Sequence, residues 1–422
     1  MSFPRGVYIF RRCGIRSRKT RFTLLSVGLL FALLIVSQTV NALTLTSLVT
    51  LSTPPLQQDN LSASVIDTVH NSAYFGSTTG SIGSIAKIQL SPFGRVGSLT
   101  LGSGEVHVSS AVLDFSNQVA YFGTADTPSA SIVKLNLTTF QEVLPSITGL
   151  PPLSSAVIDT ANQFAYFGTY TSPGSIVRVP LKSFPTLPAT TLQLNAGQGY
   201  LTSAVIANGF AYFGADTSPG IVVRVSLSNF TPSGVTAVTL NPGESGLSSA
   251  VVDPVNGFAY FGTHTSPGIV VKMGLTPFGR VGSLSLSTGE NILTSATNDT
   301  YKGFAYFGTF TNPGIVAQLD LSTFTEVASI SVAGASYFGS AVTDPSSDFA
   351  YFGTLTSPGV VAKIDLRSNN PPVGGVTLPV EPLVLMLPYL VLITGVAVAS
   401  VVVVASYQRR ASGRRRADLS SP

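Results

Sequence analysis

The stretch FAYFGTYTSPGSIVRVPL, residues 164–181, decides the fold because close copies of it recur along the chain at a nearly constant interval. Successive copies are separated by 47, 45, 46, 48, 46 and 45 residues. Seven copies at this period are the signature of a radial β array. The AYFG element of the copies starts at Ala73, Ala120, Ala165, Ala211, Ala259, Ala305 and Ala350.

Each copy contains four short runs that read as β-strands: an apolar run such as SAVID, the aromatic run FAYFGT, an alternating run SIVRVPL and a last run such as VGSLTL. Aromatic and β-branched residues dominate these runs, as is typical of strands. Tyr166 and Phe167 point to opposite faces of one strand, so bulk on both faces predicts burial between two neighbouring sheets. Four strands per copy match one blade of a propeller.

The two ends of the array predict how the ring closes. The seventh copy runs GVVAKIDL and then SNNPPVGG, without its fourth strand. Residues 44–52, TLTSLVTLS, resemble the fourth strand VGSLTLGSG and precede the first complete copy. We therefore expect an all-β, seven-bladed β-propeller over residues 43–368, in which the N-terminal strand completes the last blade and removes an exposed edge. A β-solenoid with two turns per repeat is the structural alternative.

The pattern over residues 44–368 resembles the YVTN-type repeats of surface-layer β-propellers. SAVID…FAYFGTYTSPGSIVRVPL follows the apolar, aromatic and Val-rich strands of that family in order, with Tyr-Phe-Gly-Thr where the family has Tyr-Val-Thr-Asn. The stretch PPVGGVTLPVEPLVLMLPYLVLI is similar to the C-terminal anchors of archaeal surface proteins. These resemblances imply a seven-bladed propeller displayed on a cell surface, from an archaeal source.

Both ends of the chain predict membrane signals. Residues 1–42 carry a basic stretch and then an apolar run, which predicts a signal peptide cut before Leu43; an uncleaved signal anchor is the alternative. Residues 369–381 form a linker, and the uncharged residues 382–406 predict a transmembrane helix. Five arginines in residues 407–422 place that tail in the cytoplasm. The chain is thus predicted to be a single-pass cell-membrane protein with an extracellular propeller.

The charge distribution argues against a nucleic-acid partner. The formal net charge is +4, but residues 43–380 contain 11 Lys and Arg against 17 Asp and Glu, a net charge of 11 − 17 = −6. The basic residues are concentrated at the two ends. Cys13 is the only cysteine, so the propeller holds no disulfide. His70, His107 and His264 lie in different repeats without metal-ligand spacing, and we expect no metal and no cofactor.

Residues that recur in every copy are expected to serve the blade. The aspartates at the end of the first strand predict Asx turns. In TSPG, Pro173 and Gly174 predict a type II turn. The cations of the third strand are expected at a solvated outer position with buried stems. These cations are Lys87, Lys134, Arg178, Arg224, Lys272 and Lys363.

Positions at which the copies differ are the candidates for binding. The residue just after each aromatic strand varies freely, and the loops that follow the fourth strand emerge on the same face. These loops predict a binding rim for a glycan, a protein or a small molecule, formed by Tyr170, Asp216, His264, Phe310, Glu105, Glu244, Glu290 and Tyr200, with Tyr337 close by. Four sequons mark glycosylation candidates: Asn60, Asn136, Asn229 and Asn298.

Two functions are compatible with these features. The first is a membrane-anchored, extracellular binding or structural module, such as a surface-layer or adhesion protein. The alternative is an extracytoplasmic enzyme, a lyase or hydrolase, that uses the loop face. A convergent acid/base pair with a shifted pKa under the loops would favour the enzyme.

Overall fold

A computed structural model describes residues 43–52, 56–186 and 188–367. In these residues, 28 strands form seven four-stranded antiparallel sheets, the blades of a propeller. The only helical segment of the described residues is a 3₁₀ turn, Pro232–Gly234. The predicted all-β seven-bladed propeller is therefore confirmed.

The strands of each blade follow one another from the central channel outwards. The innermost strands of blades 1–7 are β2 (Ala63–Asp67), β6 (Val108–Asp114), β10 (Leu153–Asp159), β14 (Leu201–Ala207), β18 (Leu247–Asp253), β22 (Leu293–Asp299) and β26 (Phe338–Asp344). The second strands are β3 (Ser72–Thr79), β7 (Val119–Thr124), β11 (Phe164–Thr169), β15 (Phe210–Ala215), β19 (Phe258–Thr263), β23 (Phe304–Thr309) and β27 (Phe349–Thr354). The third strands are β4 (Ile82–Leu90), β8 (Ala130–Asn136), β12 (Ser175–Pro180), β16 (Ile221–Ser226), β20 (Ile269–Leu275), β24 (Gly314–Asp320) and β28 (Val360–Asp365). The outer strands of blades 1–6 are β5 (Phe93–Thr100), β9 (Gln141–Leu150), β13 (Thr190–Gln193), β17 (Val235–Thr239), β21 (Phe278–Ser285) and β25 (Thr325–Val332).

The N-terminal strand β1 (Thr44–Thr50) is the outer strand of blade 7. It pairs antiparallel with β28, with Leu48 opposite Ala362, and this pairing confirms the predicted closure. No helix in the described part of the chain is long and apolar enough to cross a membrane. The predicted signal peptide, linker, transmembrane helix 382–406 and cytoplasmic tail all lie outside the described residues.

The Tyr-Phe pair of each second strand is buried between blades, as the sequence predicts. Tyr166 is 1% exposed and Phe167 is 0% exposed. Phe167 packs in one apolar cluster with Tyr121 of blade 2, whereas Tyr166 packs in another with Phe213 of blade 4. A Cβ on Gly168 would lie 2.5 Å from the hydroxyl of Ser155, so this position needs glycine for close packing.

Hydroxyl groups of the innermost strands join each blade to the next. Ser109 Oγ, for example, donates to the carbonyl of Leu153 over 2.6 Å. The equivalent bond recurs at all seven interfaces and forms a closed circle around the channel. We call this circle the hydroxyl ring; its donors are Ser62, Ser109, Ser155, Ser203, Ser249, Thr294 and Ser340.

The third-strand cations differ in part from the prediction. All six lie between aromatic rings of two blades; five of them are half-buried, and Lys363 is buried. The Arg224 guanidinium lies 4.7 Å from the Phe210 ring of its own blade and 4.6 Å from the Phe278 ring of the next. Lys363 is only 9% exposed and lies 3.9 Å from the Phe349 ring. Cation–π attraction to rings contributed by two blades accounts for this placement.

The turns of the repeat give one confirmation and one correction. The Asx turns are confirmed, since Asp159 Oδ1 accepts the Asn162 N–H over 3.0 Å. The type II turn is wrong: the Ser172–Pro173 peptide is cis, which puts proline at the third position, as in type VI turns. Gly174 has no positive φ; a Cβ there would lie 2.8 Å from the Gln198 carbonyl oxygen. The prolines of the equivalent turns are also cis: Pro219, Pro267, Pro313 and Pro358.

Candidate functional site at the channel mouth

Two sets of loops meet on one face of the propeller. One set joins the outer strand of a blade to the innermost strand of the next, and the other joins second and third strands. Backbone hydrogen bonds link the sets alternately: Tyr170 N–H donates to Pro152 O over 2.7 Å, and Asp216 N–H donates to Tyr200 O over 2.8 Å. The loop positions around the channel are therefore fixed relative to one another by backbone contacts.

These residues and their equivalents in the other blades surround the channel, and we call them the mouth ring. It alternates between residues that follow a second strand and residues that precede an innermost strand. In spatial order the mouth ring is Asn60, Thr78, His107, Ala125, Pro152, Tyr170, Tyr200, Asp216, Gly246, His264, Ile292, Phe310, Tyr337 and Leu355.

Two aromatic pairs stand on the mouth ring, three blades apart. The ring centroids of Tyr170 and Tyr200 are 5.0 Å apart, and those of Phe310 and Tyr337 are 4.7 Å apart. Tyr170 is 48% exposed, Tyr200 38% and Phe310 39%, so these large rings face solvent. Partial burial, with the nearby Asp216 and Tyr200, raises the pKa of Tyr170.

Gly246 lets the polar residues between the two pairs approach each other. A Cβ at this position would lie 2.6 Å from His264 Cβ and 2.9 Å from Asp216 Oδ1. The structure thus brings five of the eight predicted rim residues onto one side of the mouth. We call this side the aromatic arc; it comprises Tyr170, Tyr200, Asp216, His264, Phe310 and Tyr337.

The opposite side of the mouth ring carries smaller side chains and opens into a cavity of about 600 Å³. Asn60, Thr78, His107 and Leu355 line it, and Phe310 reaches it from the aromatic arc. Deeper in the channel, a second cavity of about 180 Å³ is lined by serine, threonine and alanine side chains of the seven innermost strands. The mouth is therefore asymmetric although the blades repeat.

The three predicted glutamates do not stand on the rim. Glu105, Glu244 and Glu290 are 5%, 4% and 3% exposed. Each ends a tight turn, and the carboxylate folds back onto that turn: Glu244 Oε2 accepts the Asn241 N–H over 3.1 Å. The same oxygen accepts a 2.8 Å bond from Arg280 Nε on an outer strand. Glu244 therefore ties its turn to an outer strand.

The buried glutamates differ in electrostatics. Burial opposes ionisation of Glu244, but hydrogen bonds from Arg280 and the local turn hold the pKa of Glu244 below its usual value. Glu290 instead faces a second carboxyl group, Glu326. Burial, together with this like charge, raises the pKa of Glu290 to about 7. Glu290 Oε2 is buried without a hydrogen-bond partner among the described residues.

A histidine–carboxylate pair lies in the wall of the mouth cavity. His107 Nδ1 is 2.6 Å from Asp126 Oδ1, and Asp126 Oδ2 accepts the Val106 N–H over 2.8 Å. Asp126 is 9% exposed, whereas 60% of the His107 side chain is exposed. Burial opposes ionisation of Asp126, but its hydrogen bonds, chiefly from His107, lower the pKa of that carboxyl group.

Asp126 was missed in the sequence, although a signal for it exists. The repeat places threonine at this position in the six other blades, as at Thr171, and only blade 2 has aspartate there. The pairing could not be inferred from the sequence because His107 precedes strand β6 and Asp126 follows strand β7. Their contact depends on how the two loops fold.

The glycosylation candidates fall in different environments. Asn60 and Asn229 are exposed and Asn136 is half-buried. Asn298 lies on the innermost strand β22, where its side-chain amide donates to the Val252 carbonyl over 2.7 Å. This amide is half-buried and already bonded to the neighbouring blade, so the position does not suit a glycan acceptor.

Comparisons with known proteins identify the fold and leave the family open. No model of a known protein family matches the chain, and no curated protein matches it. Among solved structures, 1444 chains match, so the fold is too common to indicate a function. One of them, described as Kuenenia stuttgartiensis Hydrazine Synthase, has a TM-score of 0.59 and is 11% identical, covering 73% of this chain and 96% of that chain. Likeness at this identity shows the propeller fold alone, and the YVTN-type assignment stays a prediction.

Proposed function

We propose that this protein is a membrane-anchored cell-surface binding protein that takes its ligand at the aromatic arc. The main support for the proposal is that repeated and unrepeated residues occupy different places in the fold. Repeated residues such as Tyr166, Phe167 and Gly168 are buried between blades, whereas the exposed rings of Tyr170 and Phe310 stand at positions that differ between copies. Clustered exposed aromatic side chains are typical of recognition surfaces.

A closed propeller suits this role because it presents the arc preformed. The hydroxyl ring and the strand pairing of β1 with β28 close the seven blades on themselves. The mouth ring is in turn held by backbone hydrogen bonds. A ligand that binds here therefore pays little for ordering the loops, which favours affinity at a small contact area.

The proposed anchor rests on the sequence of residues 382–422. Protease protection on intact cells tests it: the propeller is expected to be cleaved or shed from outside, while an epitope at the arginine-rich tail survives until the membrane is permeabilised. Loss of the tail epitope from intact cells would reverse the proposed orientation.

A screen for ligands tests the binding role. The full-length protein is purified in a polyoxyethylene detergent, which carries neither sugar nor ammonium groups, and applied to arrays of glycans, peptides and small molecules. We expect at least one ligand class to be retained and to be lost after heat unfolding. An array that retains nothing would contradict the binding role.

The enzyme alternative has one specific observation in its favour, the His107–Asp126 pair in the mouth cavity. A buried carboxylate that fixes Nδ1 leaves Nε2 as a general base, the arrangement used in hydrolysis and elimination. If the pair is catalytic, Asp126→Asn should lower turnover of an ester, glycoside or uronate substrate by about 10²-fold or more. His264→Ala, which removes the other histidine of the mouth ring, is the matched control. Equal turnover by native protein and both variants would remove this candidate.

A further inference from the structure

The pair Tyr170–Tyr200 differs from an ordinary exposed aromatic contact because a carboxylate stands beside it. The two rings are tilted by 56°, with centroids 5.0 Å apart, so they form a shallow open angle. Asp216 follows Tyr200 in the mouth ring, since Asp216 N–H donates to Tyr200 O. The charge of Asp216 also contributes to the raised pKa of Tyr170.

The carboxylate of Asp216 has no hydrogen-bond or ion-pair partner within residues 43–52, 56–186 and 188–367. It is only half-buried, so water can solvate it when no ligand is bound. Two electron-rich ring faces beside a free negative charge attract a cation, and an alkylammonium group also gains apolar contact with the rings.

The same protein already uses ring pairs to hold cations at the interfaces between blades. Lys272 Nζ lies 4.0 Å from the Phe258 ring centre and 5.3 Å from that of Phe324. Lys134 Nζ lies 5.6 Å from the ring centre of Tyr121. Rings contributed by two neighbouring blades therefore hold an ammonium group in this fold. At Tyr170 and Tyr200 no lysine or arginine of the described residues lies over the rings.

We propose that Tyr170, Tyr200 and Asp216 form a cage for an organic cation, a substituted ammonium group on a small molecule or on a ligand's side chain. The cage rests on the proposed binding function and names the ligand class of its aromatic arc. The two tyrosines contact the methyl or methylene groups of the cation, and Asp216 balances its charge.

The second aromatic pair supplies a control within the same chain. Phe310 and Tyr337 have nearly the same separation, 4.7 Å, and a tilt of 41°. The residue that follows them in the mouth ring, at the place of Asp216, is Leu355. This pair has the rings of the cage without its charge.

The experiment is a titration of the full-length protein with choline, followed by ligand-observed NMR at about pH 8, where histidine is ordinarily neutral. The neutral control is 3,3-dimethylbutan-1-ol, which has the shape of choline without its charge. We expect choline to bind and the alcohol to bind at least about fivefold more weakly. Asp216→Asn and Tyr170→Ala should each weaken choline binding by about fivefold or more, whereas Tyr301→Ala, at an exposed tyrosine outside the mouth ring, should leave it unchanged.

Loss of choline binding in a variant could also result from misfolding, so a variant that gains a binding site is tested as well. Leu355→Asp places a carboxylate beside the second pair, and it should create a second choline site that Phe310→Ala removes. Equal binding of choline and the alcohol, no binding of choline, or no effect of Asp216→Asn would each overturn the cage. If choline fails while the ligand screen succeeds with another class, the cage is wrong and the binding function stands.

Discussion

The hydroxyl of Ser340 donates to the carbonyl of Leu61 over 2.8 Å and joins the last blade to the first across 279 residues of sequence. At this interface the donor has no substitute, because the preceding residue is Gly339. At three other interfaces the ring is doubled; for example, Ser154 and Ser155 both donate to the Leu201 carbonyl, over 2.9 and 2.5 Å. The closing interface therefore depends on one side chain.

Ser340→Ala should lower the free energy of unfolding by about 1–2 kcal/mol, because it leaves the buried Leu61 carbonyl without this donor. Ser155→Ala is the matched variant and should cost less, since Ser154 still reaches Leu201. Urea unfolding of the two variants checks this difference. A larger loss in Ser155→Ala than in Ser340→Ala would contradict the closing role of Ser340.

The N-terminal strand β1 should contribute to the free energy of unfolding as the inner strands do. Leu48 packs against the apolar cluster of blade 7, whereas Thr46 on the same strand is exposed. Leu48→Asp should cost about 2 kcal/mol or more of unfolding free energy, because it puts an unpaired charge in that contact. Thr46→Asp should cost almost nothing. Equal unfolding midpoints for the two variants would mean that β1 does not stabilise the ring.

Much of the fold could be predicted because the relevant contacts lie within one repeat or follow from its period. The opposed burial of Tyr166 and Phe167 and the closure by residues 44–50 needed only strand alternation and a count of strands. The Asx turns needed only the spacing from Asp159 to Asn162. Such short-range patterns can be recognised from the sequence alone.

The candidate site was predictable only in part because its contacts cross between repeats. Tyr170, Asp216 and His264 were found because they vary at one repeated position, and the mouth ring brings that position together in all blades. Glu244 was misplaced because Arg280, its partner, lies 36 residues away on an outer strand. The carboxylate of Glu244 folds inwards because of Arg280 and the local turn. Neither contact can be recognised from the sequence.

Stability should depend on pH through Glu290. The pKa of this carboxyl group is raised from 4.5 to about 7 in the folded protein, so the folded state binds the proton more tightly than the unfolded state. Its contribution to stability is therefore complete below about pH 4.5 and is lost as the pH rises through 7. Glu290→Gln should flatten the decrease in unfolding free energy over this window, by an amount on the order of 1–3 kcal/mol.

Glu244→Gln is the control for the pH experiment because the pKa of Glu244 is shifted in the opposite direction. Its carboxylate stabilises the fold above the ordinary glutamate pKa, and that stability is lost as the pH falls. Removing it should therefore lower stability at neutral pH and leave the decrease between pH 5 and about 8 in place. Chemical denaturation across this range separates the two variants; parallel curves for native protein and Glu290→Gln would contradict the assignment.

Ligand binding at the aromatic arc is tested most directly by comparing two triple variants in the ligand screen. One replaces Tyr170, Tyr200 and Phe310 with alanine, and the other replaces Asn60, Thr78 and Leu355 on the opposite side of the mouth ring. Both sets of side chains lie outside the apolar interface clusters, so both proteins should unfold close to the native midpoint. We predict that the first variant loses the ligand retained by the native protein and the second keeps it. Retention by the first variant, with its fold intact, would contradict binding at the aromatic arc.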